Sequence, residues 1–462
     1  MIIKKKVLIL GDVFLDIFQI TEVLKMSQER PVPVLKPLKT KRLLGGAANV
    51  ANNIRSIGGS SFLISKLSND STSNTIRKLL KKNQIQFKII SNKKYSSPIK
   101  KRIVQNDHQF CRLDDEKIEI LSKAHEGEII KFVKKNIHTF ESLILSDYSK
   151  GFLTPNLIRK SIEIFRRNKK LIFTDPKNKN ISVYKRSNYI CPNQNEFNEF
   201  FDYQKIKINK KSLLKLFKKS QSEAFIITKG YKGITIIFKN GHKVDIPQIS
   251  VNVYDVTGAG DTFIGIFSYL TSNNIDLINS LKISSYACAK IVQKKHTATL
   301  EFKEFQDLID EFCNNNVADL NLKIKLWKLA KFKIGATNGC FDVLHSGHLH
   351  LFNQAKKNCD KLIVLINSDN SVRKLKGNNR PKLDLQKRIK FLKMINEIDE
   401  VTHFNEITPK KILTKILPDI LFKGSDYQKS KIVGYKQITQ NGGTVKIINN
   451  LKNFSSSKLI KK

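Results

Sequence analysis

No pair of cysteines in this sequence is spaced to grip a metal. The six (Cys111, Cys191, Cys288, Cys313, Cys340 and Cys359) are widely scattered and no CxxC occurs. That argues against a zinc ribbon and a disulfide framework, and fits reduced thiols. Also missing is any stretch approaching the roughly 18 apolar residues of a membrane span. The N-terminus, MIIKKKVLILGDVFLDIF, starts basic, as a secretory leader does. Its apolar run is only VLIL before Gly11-Asp12 interrupts it, so a buried first strand is expected rather than an export signal. A cytoplasmic protein without a membrane partner is expected.

Acidic residues are scarce, 40 against 83 Lys and Arg, giving a formal net charge of +43 at pH 7. Such a field draws phosphate backbones. Yet the lysines run through every segment, and no basic helix or aromatic-and-basic platform stands out. A compositional bias explains the excess better than a nucleic-acid partner, and the charge still favours anionic substrates. With 40% hydrophobic and 27% charged residues the chain is not of disordered composition, and 462 residues suffice for two or three domains with real cores.

The first two-thirds alternates short apolar runs (VLILGD, SFLISKL, SLILSDY, KLIFTDPK, YICPN, AFIITKG, GITIIF) with amphipathic stretches such as LIRKSIEIFRRNKK. This predicts a three-layer α/β domain on a largely parallel sheet, with ligands at the carboxyl ends of the strands. After NNNVADLNLKIKLWKLA a new strand begins at KFKIGATNG. It opens a second series: a helix over 347–358, DKLIVLINSD, LDLQKRIKFLKMI, VTHFNE and DILFKGSDY. The expected division is a domain over 1–315, a linker over 316–330 and a smaller domain over 331–462. No internal repeat is visible.

Residues 336–350, ATNGCFDVLHSGHLH, hold three of the nine histidines. Zinc is not expected, because two-His zinc helices space their ligands i, i+4 with a Glu between them, whereas His345 and His348 are three apart with no acidic partner. The strand KIGAT ends in Thr337-Asn338-Gly339, and a helix starts near Gly347-His348. That layout aims backbone N–H groups at an anion, so phosphate chemistry is the reading taken. The stretch TNGCFDVLHSGHLHLF resembles the signature of the HxGH nucleotidyltransferases, cytidylyl- and adenylyltransferases on a Rossmann-like fold. The resemblance implies that His345 and His348 bracket the α- and β-phosphates, that Gly347 lets the backbone approach, and that Thr337 and Asn338 lie beside the phosphates. VLINSDNSVRKLKGNNRP resembles the loop that binds substrate, through Asp369, Lys376, Gly377 and Arg380. Arg388, LFKGSDY (Lys423, Gly424, Asp426) and FSSSK (Ser455, Ser456) resemble the nucleotide-side motifs. His350 is read as structural.

In the first domain, VYDVTGAGDTFIG (253–265) combines an anion hole with a carboxylate at a helix start. The amides of Gly258, Ala259 and Gly260 can hold a phosphoryl group while Asp261 takes the proton from an attacking hydroxyl. The plainer alternative is a loop with an Asp helix cap. This motif resembles that of the ribokinase-like sugar kinases, the PfkB family. The resemblance implies that Asp16, and with it Asp12, binds sugar hydroxyls beside Gly45, Gly46 and Asn49. It implies that Asn193 and Glu196 of CPNQNEF hold magnesium through water, with Glu196 as the metal group. Thr228, Gly230 and Gly233 then lie at the nucleotide. Lys100, Arg102 and Arg112 suit a sugar's distal phosphate, although each alone reads as a solvated surface charge.

The order of the two domains, with ERPVPVLKP, GGAANVA, LSDYSKG, YDVTGAGDT, NSDNSVRKLKGNNRP and PDILFKGSDY, resembles a bifunctional family of lipopolysaccharide assembly over nearly the whole chain. In that family a D-glycero-β-D-manno-heptose 7-phosphate kinase is joined to a D-glycero-β-D-manno-heptose 1-phosphate adenylyltransferase that makes ADP-heptose. The resemblance implies ATP with magnesium, heptose phosphates as partners, a separate bisphosphate phosphatase and a homodimer. Two departures stand out. A Lys-Leu-Gly-Thr turn is here Lys294-Lys295-His296-Thr297, so His296 is expected to reshape the adenine side of the kinase pocket. The linker is also shorter than usual. The rival readings are another sugar, CTP in the second site, or a nucleic-acid binder on a degenerate scaffold.

Overall fold

The computed structural model describes residues 6–105, 108–294, 298–315, 319–425 and 432–449. The chain divides into two compact units, Met1–Leu308 and Ile309–Lys462. The division falls within the helix Phe302–Asn315. Leu320–Leu329, inside the expected linker, is helical, because the Asp319 side chain caps it by accepting from the Leu322 amide at 2.8 Å. No helix among the described residues is long and apolar enough to cross a membrane.

In chain order the strands of the first unit are β1 (Lys6–Gly11), β2 (Val13–Met26), β3 (Pro33–Gly46), β4 (Ser61–Leu67), β5 (Gln86–Ser91) and β6 (Ile99–Gln105). There follow β7 (His108–Asp115), β8 (Phe140–Ser146), β9 (Leu171–Asp175), β10 (Tyr189–Ile190), β11 (Ala224–Thr228), β12 (Ile234–Phe238) and β13 (Lys243–Ile246). Nine of them form one sheet in the order β13-β12-β11-β10-β9-β8-β1-β4-β5. It is parallel from β5 to β11 and antiparallel beyond. Helices cover both faces, which is why its central strands read as continuous apolar runs rather than alternating ones. Phe165, Phe197, Phe200 and Phe225 pack on one side, and Ala47, Val50, Ile54 and Phe263 on the other. The chain leaves β1 for β4 on one flank and returns to β8 on the other. Such a reversal opens a crevice at the carboxyl ends of the strands, here beside Gly11-Asp12.

The sequence did not predict a second sheet, but β3-β2-β6-β7 form one. Its outer parts carry no inward apolar stripe: every residue of β7 is exposed, as are Leu24, Met26 and Leu38. Without a buried face there is no alternation to read.

The second unit contains β14 (Ile334–Gly339), β15 (Lys361–Asn367), β16 (Glu400–Phe404), β17 (Ile420–Gly424) and β18 (Thr444–Ile448). They form a parallel sheet in the order β16-β15-β14-β17-β18. The order again reverses at its first strand, which places a ligand crevice beyond Gly339. Gly335 is required within β14, because a Cβ there would stand 2.6 Å from Cys359 Sγ and from the Phe422 ring.

One arginine ties the loops around that crevice. Arg388, fully buried, donates Nε–H to the Leu383 carbonyl at 3.0 Å and one terminal nitrogen to the carbonyls of Cys340 and Asn367 at 2.6 and 3.0 Å. The other terminal nitrogen meets Asp369 at 2.6 Å. Removing one partner of such an arrangement strands the other groups without compensation. Arg388→Ala is expected to destabilise this unit by about 3 kcal/mol or more. Urea unfolding followed through Trp327, the one tryptophan of the chain and buried in the same unit, measures it.

Candidate active sites

In the first unit the helix Ala259–Ser272 starts after Gly258, whose φ of 81° places it in the left-handed region that glycine tolerates. Asp261, in the helix's first turn, is buried. Both of its oxygens accept hydrogen bonds: Oδ2 from the Asn49 amide at 2.9 Å, Oδ1 from the Tyr148 hydroxyl at 2.6 Å. Asn49 is steadied in turn by Asn53, which accepts from the Thr262 hydroxyl at 3.0 Å. Burial pushes the Asp261 carboxyl up to about 6, against the pull of the Tyr148 and Asn49 bonds. A carboxylate poised close to neutral pH is what a general base requires. Of the three amides read as an anion hole, that of Ala259 donates to the Val256 carbonyl at 3.1 Å.

The two carboxylates expected at the sugar behave differently. Asp12 accepts from the amides of Tyr148, Lys150 and Phe152 at 3.1–3.2 Å, so it shapes the loop after β8. Asp16 lies on β2 and pairs with buried Arg102, which also lies over the Phe18 ring. Gly45 admits this carboxylate, since a Cβ there would stand 2.7 Å from Asp16 Oδ2. Gly46 has a φ of 62°, and a Cβ would stand 2.5 Å from the Asp12 carbonyl oxygen. The basic residues expected at a distal phosphate are all engaged. Arg102 holds Asp16, exposed Arg112 holds Asp114 at 2.9 Å, and the Lys100 ammonium lies 4.1 Å from the Phe14 ring centre.

Thr228, Gly230 and Gly233 line a cavity of about 360 Å³ together with Ala259, Gly260 and Phe263. Val253, Val256 and Val292 add an apolar wall suited to a purine. Asn193 and Glu196 form a reciprocal capping box, and Glu196 also meets Lys177 at 3.0 Å. Beside them Asp175 is held well above the usual carboxylate range by burial, then by the charges of Glu196 and Asp261. Tyr148, Asp175 and Lys177 were not singled out in the sequence, although LSDYSKG and KLIFTDPK contain them. His296 lies outside the described residues.

In the second unit, Thr337 and Asn338 lie near the end of β14, and His345 immediately precedes the helix Ser346–Lys356. Gly347 falls in its first turn, and the His345 and His348 rings stack at 3.9 Å between centres. Burial and the neighbouring His345 and Lys376 push the His348 imidazole down to about 4, so the ring is neutral in this pocket. Lys423, on β17, donates to the Asn338 carbonyl at 3.1 Å, and burial lowers its ammonium to about 8. Thr337 Oγ1, Asn338 Oδ1 and His348 Nδ1 are buried with no hydrogen-bond partner among the described residues. Orphaned polar atoms converging at a strand–helix turn call for a polar ligand. Gly424 ends β17, and Gly377, with a φ of 92°, ends the helix Asp369–Lys376. Arg380 is bound to Asp342 at 2.6 Å, and Asp369 serves Arg388. His350 lies half-buried in the same helix as His348. Asp426, Ser455 and Ser456 lie outside the described residues.

Phosphate placed against neutral His348 raises its proton affinity, so binding takes up protons and tightens as pH falls. Calorimetry with a non-hydrolysable ATP analogue at pH 6, in buffers of different ionisation enthalpy, is expected to show proton uptake that is smaller in His348→Asn.

Residues 4–303 match the pfkB family carbohydrate kinases, and residues 336–462 match the family described as cytidylyltransferase-like. The ribokinase of Arabidopsis thaliana, solved with ribose and ATP, is 16% identical with a TM-score of 0.52 over 66% of this chain and 98% of its own. Phosphofructokinase-2 of Escherichia coli, solved with substrates and products, is 15% identical with a TM-score of 0.54, over 66% of this chain and 98% of its own. These two show the fold of the first unit. Bifunctional protein HldE of Histophilus somni is 33% identical over 99% of this chain and 97% of its own length. That of Rhodopseudomonas palustris is 32% identical over 99% and 96%. A carbohydrate-kinase unit followed by a nucleotidyltransferase unit, aligned from end to end with these relatives, places this chain in the Bifunctional protein HldE family.

Proposed function

We propose that the first unit phosphorylates D-glycero-β-D-manno-heptose 7-phosphate at C1 with ATP. The second transfers AMP from ATP to D-glycero-β-D-manno-heptose 1-phosphate, giving ADP-heptose and pyrophosphate for lipopolysaccharide core assembly. The carrying observation is that one chain, similar from end to end to Bifunctional protein HldE, holds a buried carboxylate at one sheet's strand-order reversal and a histidine pair at the other's.

In the kinase step the C1 oxygen attacks the γ-phosphorus, its proton passes to Asp261, and ADP leaves. The rest is positioning and charge stabilisation. Among the described residues no cluster of acids is placed to ligate a metal directly, so Glu196 would hold magnesium through water, neutralising triphosphate charge. In the transfer step a sugar-phosphate oxygen attacks the α-phosphorus and pyrophosphate leaves. That nucleophile is already anionic, so no base is needed, and His345, His348 and Lys423 supply donors to the developing charge. The exposed Leu24, Met26, Leu38, Phe110 and Leu113 on the four-stranded sheet support a homodimer built on that sheet. A cytoplasmic location follows from the nucleotide substrates. The match to a cytidylyltransferase-like family keeps CTP as the second reading for the C-terminal unit, which nucleotide profiling decides.

The kinase leaves the phosphate at position 7 in place, so a separate phosphatase must act between the two steps. Purified chain with heptose 7-phosphate and Mg-ATP is expected to accumulate the bisphosphate and to form ADP-heptose only when a phosphatase is supplied. Asp261→Asn is expected to lower the first step by about 10²–10⁴ and to spare formation of ADP-heptose from heptose 1-phosphate. Mass analysis of the products checks both, and ADP-heptose formed from heptose 7-phosphate by this chain alone would sink the substrate assignment.

A further inference from the structure

We propose that Tyr148 is a positioning residue of the phosphoryl-transfer site, its hydroxyl holding Oδ1 of Asp261 so that the carboxylate keeps one orientation toward the sugar. The inference rests on the reading of Asp261 as the proton acceptor.

The geometry supports it from three sides. First, Asp261 is fixed by one donor on each oxygen, and the two donors come from different elements. Asn49 lies on the helix Ala47–Ser56, whereas Tyr148 lies in the loop after β8. Losing either would free the carboxylate to rotate about its last bond. Second, the loop that carries Tyr148 is itself pinned. The amides of Tyr148, Lys150 and Phe152 all donate to Asp12, and the Ser149 amide donates to Asp147 at 2.7 Å. Asp147 in turn accepts the Tyr184 hydroxyl. Third, the phenol ring meets Phe14 edge-on at 5.2 Å, and the Lys100 ammonium lies 5.6 Å from its centre. Backbone and ring are therefore both constrained, and the hydroxyl has one place to go.

The electrostatics run the same way. Charged groups facing Asp261 are Asp16 and Lys100 from the four-stranded sheet and Asp175 from β9. Asp16 raises the proton affinity of Asp261 and Lys100 lowers it, while the Asp261 charge in turn raises that of Asp175. The Tyr148 hydroxyl is the largest influence favouring the ionised form. A donor to the charged form stabilises it, so removing the hydroxyl raises the proton affinity of Asp261.

The test is Tyr148→Phe in the full chain, which keeps the ring and its contact with Phe14. Phosphorylation is expected to slow by about tenfold, with the acid limb of its pH–rate profile displaced upward by about one pH unit, as loss of a hydrogen bond to a charged group implies. Site-specific 3-fluorotyrosine at 148, a stronger donor, is expected to displace the limb downward. Adenylyl transfer, measured on the same samples, reports that the chain is intact and is expected to stay at the wild-type rate. An unchanged rate and limb in Tyr148→Phe would overturn the proposal, and so would a slower rate with the limb unmoved, which marks a merely structural part. Asp261→Asn separates the two layers: if it still phosphorylates at the wild-type rate, the reading of the base fails, whatever Tyr148 does.

Discussion

Much of the first unit is arranged around the burial of one carboxylate, that of Asp261. Taking an ionised group out of water is tolerable only when hydrogen-bond donors replace the water it loses. Asn49 and Tyr148 supply them, and each needs support of its own. Asn49 needs Asn53 and Thr262 behind it. Tyr148 needs a loop that Asp12 ties down from the end of β1. Asp12 reaches that loop because β1 and β8 run side by side. Gly11 permits the approach, since a Cβ there would collide with the Ser146 carbonyl. The site thus depends on the strand order of the sheet as much as on the residues that line it.

The second unit solves the opposite problem. Its crevice buries bases rather than an acid, and burial presses His348 and Lys423 toward their neutral forms. Among the described residues, Thr337 and Asn338 have polar atoms without a partner at the same turn. An anion arriving there would restore charge to the imidazole and could accept from the Thr337 hydroxyl. In both units burial shifts the titrating groups toward neutrality. The acid is made more basic and the bases more acidic, so that each site is tuned for a highly charged substrate.

The surplus of positive charge does not gather into a recognition surface in the places that matter most. Arg102 neutralises Asp16, Arg112 meets Asp114, Arg380 meets Asp342 and Arg388 meets Asp369. Four basic residues with tempting sequence positions are thus spent on carboxylates of their own unit, and Arg388 contributes stability and loop shape rather than a contact surface. A basic residue in a motif is ambiguous until its partner is known, because the same guanidinium binds a phosphate or a carboxylate with equal geometry.

What the sequence determined by itself is what neighbouring residues can encode. Buried parallel strands announce themselves as apolar runs, and a glycine-rich turn before a helix announces an anion site, because the periodicity and the backbone geometry lie within a dozen residues. The alternation of strand and helix, the GAGD turn and the histidine pair were legible for that reason. Tertiary structure alone decided the pairings. Asn49 meets Asp261 across 212 positions, Tyr148 meets it across 113, and Arg102 meets Asp16 across 86. It alone also showed the four-stranded sheet, where β7 is exposed along its whole length and so leaves no periodic trace. A hydrogen bond between residues brought together by strand order has no local signature, since the order in which parallel strands assemble is set by packing of the whole sheet.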